Sequence, residues 1–366
     1  MGRVLVVRPD NLGDVLMTGP ALRALRRAAP DARIDLLAAP AGAPAADLLP
    51  EVDRVLTASV SWQHAGSGDL PVGDDLRLVE RIAAGGYSAA VIFTSFSQSP
   101  WPAGYLCRLA GVPVRIGMSK EFGGVGLTHW VPAPETGFAA GEVAHQVDRA
   151  LHLLRQVGVP PVSGRLHAVV PEHARRAAER VLTAHGVRPD QPYALILPGA
   201  SCPSRRYPPD RMARAARLIT RSGLPVVVAG TAKESALVGT VTDGCPGAIG
   251  LTGRLDVPAL AYAVSVASVV VCNNSGGAHL ASALGTPVVE LFAGTERVSQ
   301  YRPRFSPAVV LTVDVACSPC RQFVCPYGLE CLEIPPERVA EAAVEIADRP
   351  HDRRSTGDAE RQGSPR

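Results

Sequence analysis

The sequence predicts an α/β protein built as two successive doubly wound parallel sheets, and three observations carry that expectation. Short β-branched runs alternate with Ala/Leu/Arg-rich helical segments, the pattern of βαβ units. The alternation breaks at the Pro/Gly stretch Gly158–Gly164, where the helical period is lost, and then restarts. The 366 residues, 46% of them hydrophobic, suffice for two ordinary cores at roughly 150 residues per domain.

Taken in order, the first half reads as a strand over Val4–Arg8, a helix over about Val15–Ala29, strands at Ile34–Ala38 and Ala89–Phe93, and a helix around Glu142–Val157. The second half gives strands at Ala194–Leu197, Pro225–Gly230, Val269–Asn273 and Pro287–Phe292. Helices at Asp210–Ser222, Val257–Ser265 and His279–Leu284 fall between them. A closing helix follows Leu332, with Pro before its start and Glu in its first turn. The expected domains are 1–160 and 165–348, with a polar tail over 349–366 that lacks apolar spacing and is expected to be disordered.

Composition narrows the function. The 37 basic and 34 acidic residues leave a formal charge of +3, and no basic run is interleaved with aromatics, which argues against nucleic acid as a partner. Only Lys120 and Lys233 are lysines; the other basic residues are Arg, as in GC-rich bacterial genomes. No apolar stretch approaches the roughly 18 residues that cross a bilayer, and the start runs straight into a strand without a signal-peptide pattern. A cytoplasmic protein with at most peripheral membrane contact is expected. In that compartment its eight cysteines are more often thiols or metal ligands than disulfides.

Ligands of open parallel sheets bind at the carboxyl ends of strands, and three such loops carry unusual residues. In the first, Arg8–Leu22, Asn11 and Gly13 lead into a helix start that could receive a phosphate. Asp14 there is either a helix cap or a general base. In the second, Pro198–Ala213, Ser201, Ser204, Arg205 and Arg206 precede a helix. Paired guanidiniums suit a pyrophosphate, while a solvated arginine surface is the plain alternative. In the third, Val271–Glu296, a buried strand runs through Asn274, Ser275, Gly276 and Gly277 into a small-residue helix, which reads as an anion cradle or as a tight structural turn. His279 lies near that helix start as a phosphate contact or a packed residue. Neither G-x-G-x-x-G nor a Walker A pattern occurs in these loops.

Together, Arg8-Pro9 with Leu12-Gly13-Asp14-Val15 and Pro20-Ala21-Leu22, then Pro198-Gly199-Ala200 with Tyr207-Pro208, then Asn273 to Pro287, resemble glycosyltransferase family 9 over about residues 3–345. That family contains the ADP-heptose:lipopolysaccharide heptosyltransferases. The resemblance implies two Rossmann-like domains of the glycosyltransferase B fold, with the site in the interdomain cleft. The first domain would bind the acceptor and the second the nucleotide sugar. It implies inverting transfer from an ADP-sugar, heptose first among them, to a hydroxyl of a glycan, glycolipid or metabolite, with no cofactor required. Asp14 falls on the family's proposed general base and Ser201 on a hydroxyl that faces the diphosphate. Glu234 falls on the acidic residue that holds the adenosine ribose. Two positions depart: Arg205 stands where the family has a diphosphate-binding Lys, and Asn274 where Asp is common, which opens the identity of the donor sugar. A nucleotide-sugar epimerase or hydrolase, and a non-catalytic nucleotide-sugar-binding protein, are the competing readings.

Cys317, Cys320, Cys325 and Cys331 gather four thiols within one Pro/Gly-containing loop that something must hold. A structural Zn²⁺, disulfides or redox pairs, and free thiols are the three readings. Cys107, Cys202, Cys245 and Cys272 are scattered and read as buried small hydrophobes.

Overall fold

The run RVLVVR folds as the strand β1 (Arg3–Arg8), buried from Leu5 onward because both faces of a parallel sheet are covered. The structure, a computed structural model, describes residues 2–63, 71–133, 144–188 and 190–348. Around β1 stand β2 (Arg33–Ala38), β3 (Arg54–Thr57), β4 (Ala89–Ile92), β5 (Val114–Ser119) and β6 (His129–Pro132), all parallel, in the order β3-β2-β1-β4-β5-β6. Val4 is opposite Ile34 on one side and Ala89 on the other.

The second sheet repeats the plan. Its strands β7 (Ala194–Leu197), β8 (Val226–Gly230), β9 (Ile249–Thr252), β10 (Val269–Asn273), β11 (Val288–Leu291) and β12 (Ala308–Leu311) are parallel in the order β12-β11-β10-β7-β8-β9. Counted within its own half, this is the same 3-2-1-4-5-6 order as the first sheet, that of the classic dinucleotide-binding fold. The chain divides into two compact units between Arg165 and Leu166. One core gathers Leu5, Val7, Ile82, Ile92 and Leu106 in the first unit; the other gathers Ile196, Val228, Val271, Leu291 and Val339 in the second.

The strands with long apolar runs lie where the sequence predicts them. Those not anticipated, β3, β5, β6, β9 and β12, include short edge strands such as HWVP, of which only Val131 is fully buried. The first helix, Leu12–Ala28, begins one turn before the expected Val15, because Asn11 is its N-cap. The helix expected around Glu142–Val157 spans Gln146–Gln156, and 142–143 lie outside the described residues, as does the tail 349–366. Among the described residues no helix is long and apolar enough to cross a membrane.

Candidate active site

In the first sheet the strand order reverses between β1 and β4, so the loops leaving their carboxyl ends diverge and open a crevice. Arg8 closes β1 with its guanidinium buried, and Nη2 donates to Asp14 Oδ1 at 2.9 Å and to Ser95 Oγ at 2.8 Å. Its Nε lies 3.3 Å from Asp10 Oδ2, so one cation serves two carboxylates. Burial pushes the Asp10 carboxyl up and the nearby Asp14 adds to this, while Arg8 and the Gln98 amide, 2.6 Å from Asp10 Oδ1, pull it down. Gln98 in turn accepts from the Ser95 amide at 2.7 Å within the β4 loop, and its own bond to Asp10 pins that loop to the β1 loop.

Asp14 is not the cap of its helix. It stands in the first turn after the extended Asn11, with its side chain 19% exposed, so it is reachable from solvent while its partners are not. Gly13 lies inside that first helical turn rather than in a turn ahead of it, and Asn11 is exposed without a side-chain capping bond. Beside Asp14 is a recess of about 20 Å³, lined also by Arg8, Thr18, Met118, Arg149 and Leu153. That is space for about one water-sized group.

The second sheet has the equivalent reversal between β7 and β10. Asn273, fully buried at the end of β10, accepts from the Tyr207 amide at 3.0 Å and donates to the carbonyl of Pro198 at 2.8 Å, tying the β7 loop across the switch point. Asn274 is nearly as buried, and its Oδ1 accepts from the Ala293 amide at 3.1 Å. That oxygen therefore holds the β11 loop to the end of β10.

The helix Gly276–Leu284 starts at Ser275, whose side chain makes no cap, so its first amides are left for another acceptor. A Cβ on Gly277 would come within 2.7 Å of Leu197 Cδ1, so the glycine is demanded by packing of the helix start against β7. His279, one turn in, is buried; burial, reinforced by the nearby positive Arg205, pulls its pKa down to about 4. It is a neutral imidazole at neutral pH, not a cationic phosphate contact.

The expected arginine pair separates. Arg206 donates from Nε and Nη2 to the carbonyl of Ala200 in its own loop. Arg205 instead reaches the β11 loop, with Nε donating to Thr295 Oγ1 at 3.0 Å and Nη2 to Glu296 Oε1 at 2.9 Å. Ser201 is exposed on the same loop. Glu234, after β8, accepts from the amide and hydroxyl of Thr231 in a capping box. Its other oxygen occupies the space beside Gly199, where a Cβ would stand 1.7 Å away. The loops after β7, β8, β10 and β11 thus converge, and Glu234, Arg205 and the uncapped helix start belong to them.

The cysteine loop is held by the loops after β7 and β11. The Cys320 amide donates to Gly294 and the Arg321 amide to Thr295; the Ser204 amide donates to the carbonyl of Phe323, and the Ser204 hydroxyl to that of Gln322. All four thiols are free and line one cavity of about 280 Å³ with Ser204 and Thr295. Among the described residues no group of three or more His, Cys, Asp or Glu is arranged to hold a metal ion, so the structural Zn²⁺ expected at Cys317, Cys320, Cys325 and Cys331 finds no support. The other four cysteines are buried.

Sequence reasoning named Arg8 and Asn273 without a role, and it read the loop from Ser95 to Gly104 only as one that could line an acceptor site, with no part for Ser95 or Gln98 themselves. A charged residue ending an apolar strand is the signal that would have singled out Arg8; Ser95 and Gln98 offer none, since only the sheet order brings their loop to Asp14.

A profile of glycosyltransferase family 9 (heptosyltransferase) matches residues 76–330. The chain belongs to glycosyltransferase family 9. Among family members, lipopolysaccharide heptosyltransferase 3 of Escherichia coli K12 is 26% identical over 297 residues, 78% of this chain and 81% of that one. The crystal structure of a family 9 glycosyl transferase from Veillonella parvula superposes with a TM-score of 0.76 at 24% identity, covering 94% of this chain and 97% of that one. The E. coli ADP-heptose LPS heptosyltransferase II structure does so with 0.72 at 20%, covering 94% and 98%. Membership makes the protein a glycosyltransferase, and the two parallel sheets are those of the family's glycosyltransferase B fold.

Proposed function

We propose that this family 9 enzyme moves a sugar, heptose foremost, from an ADP-sugar to a hydroxyl of a glycan, glycolipid or metabolite with inversion at the anomeric carbon. The observation that carries the reading is the convergence, at the switch point of the second sheet, of Glu234, Arg205 and the uncapped helix start at Ser275–Gly277. A carboxylate for ribose hydroxyls, a guanidinium and a helix N-terminus for a diphosphate make a nucleoside-diphosphate site. The ADP-heptose named for the E. coli relative supports adenine and heptose as the first choice.

In this reaction Asp14 accepts the proton of the acceptor hydroxyl as its oxygen bonds to the anomeric carbon, on the face opposite the departing diphosphate. The bond from that carbon to the phosphate oxygen breaks, and the negative charge gathering on ADP is met by Arg205, Ser201 and the amides of Ser275 to Gly277. Arg8 and Ser95 hold Asp14 so that its exposed face meets the hydroxyl. Arginine and helix amides supply the positive field here, so turnover needs no divalent cation.

The test is incubation of the protein with ADP-heptose and bacterial glycolipid or glycan extracts, followed by mass spectrometry. A product heavier by one heptosyl unit, with ADP released, is expected. Free heptose in the absence of any acceptor would replace this reading with a hydrolase; ADP-heptose bound but unchanged would replace it with a binding protein.

A further inference from the structure

Arginine at position 205 differs from a lysine in having two hydrogen-bonding edges, and one of them is already occupied. Nε and one Nη2 proton form the side edge of the planar guanidinium; they go to Thr295 Oγ1 at 3.0 Å and Glu296 Oε1 at 2.9 Å. The end edge, Nη1 with the outer Nη2 proton, makes no hydrogen bond among the described residues. Two partners on one edge fix a planar group in position and rotation, and so fix where its other edge points.

The two partners are themselves firmly placed. Thr295 is 2% exposed, and its carbonyl accepts from the Arg321 amide at 3.1 Å. The Arg205 side chain is 25% exposed and that of Glu296 19%, so the ion pair is shielded without being sealed from an incoming anion. The same cysteine-bearing loop bonds to Ser204, next to Arg205, and to Thr295, next to Glu296, which locks both ends of the pair to one backbone segment.

We propose that Glu296 and Thr295 are positioning residues that hold the side edge of Arg205 so that its end edge is presented to the donor diphosphate, an inference that rests on the reading of Arg205 as the diphosphate contact. Glu296 is therefore an aid to anion binding despite its own negative charge. Its carboxylate aligns the guanidinium before the ligand arrives, so less ordering remains to be done on binding.

The experiment is a double-mutant cycle read by calorimetry with ADP on the full chain. In the Arg205 enzyme, E296A should weaken ADP about tenfold, the loss of one charge-assisted hydrogen bond, and T295V should weaken it in the same direction. In an R205K background, where the ammonium has no second edge to hold, E296A should change ADP affinity by less than about twofold. Tighter ADP binding by E296A in the Arg205 enzyme would make Glu296 a competitor and overturn the proposal. So would equal losses in both backgrounds, which would mark a general structural role. If R205A and R205K bind ADP as the unmodified protein does, it is the reading of Arg205 itself that falls, and the cycle separates that failure from the others.

Discussion

Arg8 and Asp14 form a 2.9 Å ion pair in which the cation is 3% exposed and the carboxylate 19%. The arginine is thus a fixed internal fixture, and the carboxylate is the part of the pair that solvent reaches. The pairing keeps Asp14 from wandering over the helix start, and it engages only one of the two carboxylate oxygens.

Asp14→Asn should cut turnover by about 10²-fold or more, the usual span of general-base catalysis, while ADP affinity stays nearly unchanged. Asparagine still accepts from Arg8 but cannot take a proton. Steady-state rates with calorimetry on the same samples make the check; near-normal turnover in a folded Asp14→Asn protein would end the general-base assignment.

Replacing Arg8 acts on the support instead. Arg8→Met strands the Asp10 and Asp14 carboxylates without their shared cation, and should destabilise the protein by about 3 kcal/mol, as removal of one partner from a buried ion pair does. Arg8→Lys keeps the charge, but its one nitrogen cannot serve Asp14 and Ser95 and also replace the Nε that faces Asp10, so it should remain folded and turn over about tenfold more slowly. Urea denaturation and kinetics measure the two effects separately.

Donor recognition gives two expected outcomes. ADP should bind more tightly than UDP or GDP, and calorimetric preference for either of the latter would overturn the adenosine assignment. Transfer should also persist in EDTA, and because backbone hydrogen bonds hold the cysteine loop to Gly294, Thr295 and Ser204, the melting temperature should not move either. Prompt loss of activity that Mg²⁺ or Mn²⁺ restores would contradict the first; a drop in melting temperature on chelation would contradict the second.

Glu290, within β11, is fully buried and neither oxygen has a hydrogen-bond partner among the described residues. Burial pushes its carboxyl well above the usual range, so the native protein keeps the proton that the unfolded chain releases near pH 4.5. The unfolded state then binds fewer protons, and this group's contribution lowers stability as pH rises, by about 1.4 kcal/mol per unit at most. Glu290→Gln, which stays neutral throughout, should therefore gain stability over the unmodified protein as pH rises above the ordinary carboxyl range. Parallel urea midpoints over that rise would show that Glu290 is ionised in the native state.

How far the sequence could be read depended on the range of the interaction. The strands Ala194–Leu197 and Val269–Asn273 were legible because an unbroken apolar run bounded by turn residues needs no partner to be recognised. HWVP was not, because an edge strand with one fully buried residue lacks both an apolar run and a clean alternation. Within the site, the readings of Asp14 as a base and of Arg205 as a phosphate contact came from their loops, each beside a plain local alternative, and Glu234 was named only through the resemblance. What escaped was pairing across the chain: Ser95 reaches Arg8 over 87 positions and Thr295 reaches Arg205 over 90, and no local pattern records either. The separation of Arg205 from Arg206 was hidden for the same reason, as two adjacent arginines look alike until one of them folds back on Ala200.

The contact between Gly199 and the Glu234 carboxylate ties two positions into one inheritable unit. Any side chain at 199 would claim the volume that the Glu234 carboxylate fills, and the carboxylate would swing away because it is the freer of the two. A lineage that shortens residue 234 thereby becomes free to drift at 199, whereas one that keeps the glutamate in this place stays bound to glycine there. In libraries that vary this loop the two codons belong in the same randomised set, since a side chain at 199 displaces the carboxylate at 234 and the effect of either position depends on the other.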